Sequence, residues 1–423
     1  MGYDFAAAVA DLVDNSIEAG ASLVAIDVEF DGDDSWVRIA DNGKGMTPDE
    51  LREAMRYGAE REYDAEDLGK FGLGLKTASM SQCKRLSVAS RSSRGRADIT
   101  AYCWDLDHIE RTNRWEILPL EKTGVGPAVR TPLKDTTGTV VLWQQLDRIL
   151  GYKHPYGESA RKRISQMCRE LEDHLGMVFH RFLKGEVKDK KLRAIMLNNN
   201  EVQSWDPFCR AERATKKLEK MRLPVEHEGT KGHIILEPFV LPHQDDFSSP
   251  EAFRRATGPA NWNQQQGFYI YRAGRMIQSG GWSRLRTADE HTKLARIGLS
   301  FSPALDEAFK INVAKMRVQL PVSVREEIER VIVPVVKLAR EAYDRKSRSK
   351  PESGARGKVS EETRLPGGSS TRLDTSSRSG VRDRGLLTLD QVVDLLREVS
   401  TEAEKSVVES IIRRLRKALR DTQ

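Results

Sequence analysis

Asp11 and Asn15 stand four residues apart in "DLVDNSIEAGAS", a spacing that sets an acid and an amide on one face of a helix. Asp41 opens "DNGKGM", with Gly43 and Gly45 at alternate positions after it and Met46 closing the stretch. Further on, "LGKFGLGLKTAS" gathers Gly69, Gly72, Gly74 and Lys76. An acid at a strand end can accept a hydrogen bond from an amine, and glycines beside it let a ligand approach the backbone. Glycines that open a helix present backbone amides to an anion, so the third stretch suits phosphate.

Three familiar phosphate loops fail on spacing. A P-loop needs GxxxxGK[ST], but Leu75 separates Gly74 from Lys76. A dinucleotide fingerprint needs GxGxxG, and here the glycines run GxxGxG. A kinase glycine loop would be followed by HRD and DFG, and neither occurs.

The elements that must position these residues are legible in outline. Phe5, Val9, Leu12, Val13 and Ile17 have helical spacing. "SLVAIDVEF" and "SWVRIAD" alternate as paired strands around the turn "DGDD". Thr47 and Pro48 start a helix in "TPDELREAMRYG". "EREYDAEDLGK" reads as a loop, "LKTASMSQC" as a helix, and "RLSVASRS", "ADITAYCWDL" and "GTVVLWQQL" as strands. The first α/β domain is expected over 1–150 and an amphipathic helical connector over 151–185. A second α/β unit, 186–345, takes "RAIMLNN", "HIILEPFVL", "GFYIYRAGRMI" and "ARIGLSFS" as strands and "SVREEIERVIVPVVKLAREAYDR" as its helix. Residues 346–384, rich in Ser, Gly, Arg and Lys, read as a disordered basic linker. Residues 385–423 read as an amphipathic helix or helical hairpin.

In this order the three stretches resemble the GHKL ATPases, the superfamily of gyrase B, Hsp90, histidine kinases and MutL, with a tone closest to MORC-like and MutL-like members. "DLVDNSIEAGAS" resembles the N box, "DNGKGM" the DxGxG box and "GKFGLGLKTAS" the GxxGxG box, and the likeness runs over roughly residues 3–340. The resemblance implies a Bergerat-type ATP-binding α/β sandwich, an S5-like transducer domain and a C-terminal helical tail. It implies ATP and Mg²⁺ as cofactors, with Asn15 as metal ligand and Asp41 reading the adenine amino group. Gly43, Gly45 and Met46 would line the base, Thr139 of "TTGTVVLW" would sit on the adenine side, and Gly69, Gly72 and Gly74 would reach the phosphates under a lid formed by 56–71. Lys76 would assist them or be a surface helix lysine. Asp11 falls where the family has a water-activating glutamate, one methylene longer, so hydrolysis is expected to be slow. Lys315, in "FKINVAKMRVQLP", matches the transducer lysine that reaches the γ-phosphate, with Lys310 as its competitor. Asp14 and Glu18 are expected on a solvated helix face. The first helix begins almost at residue 1, so the N-terminal segment that crosses to a dimer partner in many relatives is expected to be missing or cut short.

Composition narrows the classes. Hydrophobic residues are 39% and charged residues 31% of 423, with no apolar run long enough to span a membrane, which suits a globular cytoplasmic protein. Cys83, Cys103, Cys168 and Cys209 are scattered, without metal-ligand or disulfide spacing. The net charge is +6 although the first 70 residues are rich in acids, so the basic excess lies downstream, where it suits DNA or simply solvates a linker. The expectation is an ATP-dependent homodimer acting on DNA or a partner protein. The rivals are a non-hydrolysing nucleotide clamp and an Hsp90-like chaperone; a histidine kinase lacks its phosphoacceptor helix, and a topoisomerase its acidic metal motifs.

Overall fold

A computed structural model describes residues 4–56, 74–92, 98–146, 148–151, 154–311 and 318–348. Residues 57–71 of the expected lid with Gly69 and Gly72, Lys315, and nearly all of 346–423 lie outside them.

The first sheet is built on β1 (Leu23–Glu29) and β2 (Trp36–Asp41), paired antiparallel with Val24 opposite Asp41. To these are added β3 (Arg85–Arg91), β4 (Thr100–Asp105), β5 (Leu118–Pro119), β6 (Gly138–Gln144), β7 (Ala194–Leu197) and β8 (Asn200–Glu201), in the order β5-β4-β3-β6-β2-β1-β7-β8. All neighbours are antiparallel except β1 and β7. The alternation of side chains along a strand divides β6 between two cores. Val141 and Trp143 face the large core, whereas Val140 and Leu142 face a smaller one.

Helix α1 (Phe5–Glu18) crosses the large core and packs against α3 (Gly74–Met80) and α6 (Glu158–Val178). Between these in sequence lie α2 (Pro48–Met55), α4 (Leu106–Thr112) and α5 (Gly126–Arg130). The chain bends at Phe179 into the single turn α7 (His180–Leu183). Within α1 every residue from Phe5 to Ile17 is buried except Asn15. A helix so enclosed must satisfy its acids internally, and Asp14 and Glu18 bear this out against the expected solvated face. Asp14 is fully buried beside Arg275, at 2.8 Å, and Glu18 pairs with Lys190 at 3.0 Å.

The second sheet runs β10-β11-β14-β12-β13, with β9 also paired to β11. Its strands are β9 (Lys216–Lys217), β10 (Met221–His227), β11 (Thr230–Val240), β12 (Gly267–Arg272), β13 (Arg275–Ser279) and β14 (Ala295–Phe301). Helix α8 (Pro250–Thr257) precedes β12, and α9 (Arg325–Arg348) packs on β11 and β14. Two strand expectations change. "RAIMLNN" adds to the first sheet beside β1, because its Ile195 and Leu197 belong to the large core. "GFYIYRAGRMI" is a hairpin, not one strand. Ala273 and Gly274 both take positive φ, 47° and 86°, as a two-residue turn requires when it follows the twist of its strands. No helix among the described residues is long and apolar enough to cross a membrane.

The start of α2 matches its sequence signal in detail. Thr47 accepts from the Glu50 amide, the Glu50 carboxylate accepts from the Thr47 amide at 2.8 Å, and Pro48 fills the first turn. Thr47→Ala removes one bond of this reciprocal cap. A loss of about 1 kcal/mol is expected, read as a lower denaturant midpoint with an unchanged slope.

Candidate functional site

Four segments meet at the carboxyl end of β2. The Asp41 side chain closes that strand, and three donors converge on it. The amides of Gly43 and Thr139 donate to Oδ1 at 2.8 and 3.3 Å, and Ser16 Oγ lies 3.3 Å from Oδ2. Ser16 Oγ is also 3.1 Å from the Leu12 carbonyl, so a single hydroxyl proton serves two acceptors. The carboxylate is therefore tied to α1, to its own loop and to β6, and one side of it stays partly open. Burial pushes its pKa up to about 6, against the lowering effect of the Gly43, Thr139 and Ser16 bonds.

The loop after Asp41 is held on every side. Asn42 Oδ1 accepts from the amides of Ser22 and Leu23 at 2.9 and 3.0 Å, and the Lys44 amide donates to the Ala19 carbonyl at 2.9 Å. The Met46 amide donates to Ser90 Oγ at 2.8 Å, and Ser90 Oγ in turn donates to the Gly138 carbonyl at 2.9 Å. Gly45 has φ +63°, and a Cβ there would come within 2.0 Å of the Arg91 carbonyl. Gly138 has φ +143°, and a Cβ would come within 1.9 Å of the Asp41 carbonyl. Both positions need glycine because the backbones of β2, β3 and β6 approach too closely for a side chain.

On α1, Asn15 is the one exposed side chain, one turn beyond Asp11, which is 5% exposed. Ser16, next to Asn15, reaches Asp41, so the amide and the strand-end acid flank the same corner of the fold. Gly74 opens α3. The end of α2 and the start of α3 meet at Lys76. Its side chain is buried, 1% exposed, and its ammonium donates to the carbonyl of Arg56 at the end of α2. Burial lowers its pKa. The surface-lysine alternative is thus overturned. Lys310, the competitor of Lys315, has φ 48° at the end of the segment after β14. Ser16 and Ser90 carry no signal of their own in the sequence. Each acts through a bond to a partner at least 25 residues away, for which no local pattern exists.

No group of three or more His, Cys, Asp or Glu able to hold a metal occurs among the described residues. One exposed amide oxygen, at Asn15, fits a hard ion that keeps most of its ligands as water and phosphate.

Residues 3–139 match the family model described as histidine kinase-, DNA gyrase B-, and HSP90-like ATPase. Among curated proteins, the DNA mismatch repair protein MutL of Pasteurella multocida is 38% identical over 91 residues, 20% of this chain and 15% of the relative. MutL of Azorhizobium caulinodans is 41% identical over 90 residues, 20% of this chain and 14% of the relative. MutL of Pseudoalteromonas translucida is 35% identical over 107 residues, 24% and 17%. The matched stretch is thus about a sixth of those relatives' length. The N-terminal region is similar to the GHKL-type ATPases, and the MutL relatives match over a stretch of comparable length.

The raised Asp41 pKa has a consequence for stability. A carboxyl near 6 in the folded chain and near 3.8 unfolded keeps its proton more readily when folded. Its contribution is fully present below pH 3.8 and is lost as pH rises through 6. Asp41→Asn keeps an acceptor for Gly43 and Thr139 and offers an amide to Ser16. Without nucleotide the variant is expected to be more stable than the wild type by about 2–3 kcal/mol at pH 8, with the gap closing towards pH 4. Denaturant titrations across that range check it; a gap independent of pH would contradict the buried-acid account.

Proposed function

We propose that this chain binds ATP with Mg²⁺ and hydrolyses it slowly, and that the observation carrying this reading is Asp41, a partly open carboxylate at a strand end held by three donors. Its remaining lone pairs accept the adenine amino group, with Gly43, Gly45, Met46 and Thr139 around the base. Asn15 donates its side-chain oxygen to the metal. A metal held there would supply positive charge to the phosphates. Gly69, Gly72 and Gly74 bring amides to the phosphates, and Lys76 supports the end of α2 beside that loop. Asp11 orients and deprotonates the attacking water, and Lys315, carried by an S5-like transducer, stabilises charge on the γ-phosphate. Lid closure over ATP drives homodimerisation, and the basic region after residue 345 holds DNA, the class of partner that the MutL relatives' name suggests.

A second reading, a nucleotide-gated clamp that barely hydrolyses, is favoured by one observation. Asp11 is both short and only 5% exposed, so its reach towards a water is limited.

Calorimetry with ATP and GTP, each with and without Mg²⁺, tests the binding site. ATP is expected to bind at least about tenfold more tightly than GTP, since a hydrogen-bonded base edge discriminates strongly. Asn15→Ala should lose only the part of the affinity that depends on Mg²⁺. Equal affinity for ATP and GTP would sink the adenine assignment. Phosphate release then separates enzyme from clamp. Asp11→Asn should lower kcat about tenfold or more at unchanged ATP affinity, and Asp11→Glu should raise it. A wild type no faster than Asp11→Asn is a clamp.

A further inference from the structure

Between Asp11 and Asn15 on α1 stands Asp14, which turns into the protein where Asn15 turns out. Its partner lies 261 residues away on β13. Arg275 Nε sits 2.9 Å from Asp14 Oδ1 and 2.8 Å from Oδ2, with side chains 5% and 0% exposed. Helix α6 packs on both α1 and β13, and the Arg275 guanidinium lies 5.8 Å from the centre of the Phe179 ring at the end of that helix. His174 of α6 is held neutral, its pKa lowered to about 4, first by burial and then by Arg275.

The hairpin that carries Arg275 is fixed on its other arm as well. Across the turn, Arg272 Nε and Nη2 reach Asp306 Oδ1 and Oδ2 at 2.7 and 2.8 Å, a bidentate pair 2% and 6% exposed. Gly274 has φ +86°, and a Cβ there would come within 2.5 Å of Val187. The two arginines flanking the turn thus secure it to the segment after β14 at one side and to α1 at the other. Stability alone is a weak reason for such a pair, because well-packed apolar side chains of similar volume hold a buried site as firmly. What an ion pair adds is direction: the guanidinium and carboxylate planes must align.

We propose that Arg275 is a positioning residue for the nucleotide site. Through Asp14 it sets the rotation and height of α1, and so the placement of Asp11 and Asn15, by the position of the β12–β13 hairpin. This makes the β12–β13 hairpin a determinant of turnover at a site it does not itself enter. The proposal rests on the ATPase reading above.

The test compares wild type, Arg275→Met, the double variant Asp14→Leu/Arg275→Met, and Arg275→Lys. Each is followed by thermal melting, by calorimetry with ATP with and without Mg²⁺, and by phosphate release. Arg275→Met removes the guanidinium from beside a buried carboxylate, so melting temperature and kcat should both fall. The double variant should melt near the wild type yet turn over at least about tenfold more slowly, with Mg²⁺-free ATP affinity within about threefold. Arg275→Lys keeps the charge without the Nε–H that meets both Asp14 oxygens. It should behave similarly, and it decides the matter if the double variant does not fold. A variant that melts like the wild type and also turns over like it overturns the proposal, leaving the pair merely structural. A wild type that binds ATP without turnover shifts the readout to the gain in affinity from Mg²⁺, with the same two outcomes. A wild type that binds no ATP defeats the ATPase reading itself, and the positioning role with it, a result separate from unaffected variants of an ATP-binding wild type.

Discussion

Asp41 ends a strand in a place where a carboxylate is costly, and much of the first domain is arranged around keeping it there. Its oxygens gather α1 through Ser16, the following loop through Gly43 and β6 through Thr139. For those three donors to reach one side chain, β2, β3 and β6 must approach so closely that Gly45 and Gly138 have no room for a Cβ. Ser90 then closes the arrangement by bonding both Met46 and Gly138. Even so, burial outweighs the bonds and leaves the acid titrating near 6. A group kept in an unfavourable state by its surroundings is a common mark of a site that waits for a ligand.

The same logic extends to α1. A helix buried along almost its whole length cannot leave an acid without compensation, and Asp14 is met by an arginine from the second sheet. The pair converts a packing contact into a directional one. Between Ser16, which reaches Asp41, and Asp14, which reaches Arg275, α1 is fixed from two sides, and Asn15 lies between them facing outward. The three consecutive residues Asp14, Asn15 and Ser16 therefore do different work in different directions, as a helical turn of 100° per residue allows.

What could be read from the chain follows from this. The boxes around Asp11, Asn15, Asp41 and the glycines are local patterns, each with its residues within a few positions of one another, and the structure gathers Ser16, beside Asn15, with Asp41, Gly43 and Thr139 at one corner. The helix cap at Thr47 was equally plain, because its partner is three residues away. Asp14 read as a solvated acid because Arg275 stands 261 positions further on. The strand at Ala194–Leu197 carried a correct local signal but no information on which sheet would take it. The turn at Ala273–Gly274 was missed because alanine, unlike asparagine, is not a usual residue for positive φ. Lys76 shows the limit from the other side: a lysine on a short helix looks exposed until the chain folds the end of α2 over it.

The account rests on Asp41 being a proton-poised acceptor for adenine, and the carboxyl carbon of that residue reports on it directly. With ¹³C-labelled aspartate, assigned through Asp41→Asn, its chemical shift can be followed from pH 4 to 8. A midpoint near 6 is expected for the free protein. ATP should move it downward, because the adenine amine donates more strongly to the carboxylate than to the protonated acid. A midpoint near that of an ordinary aspartate, or one that ATP leaves in place, would contradict the account.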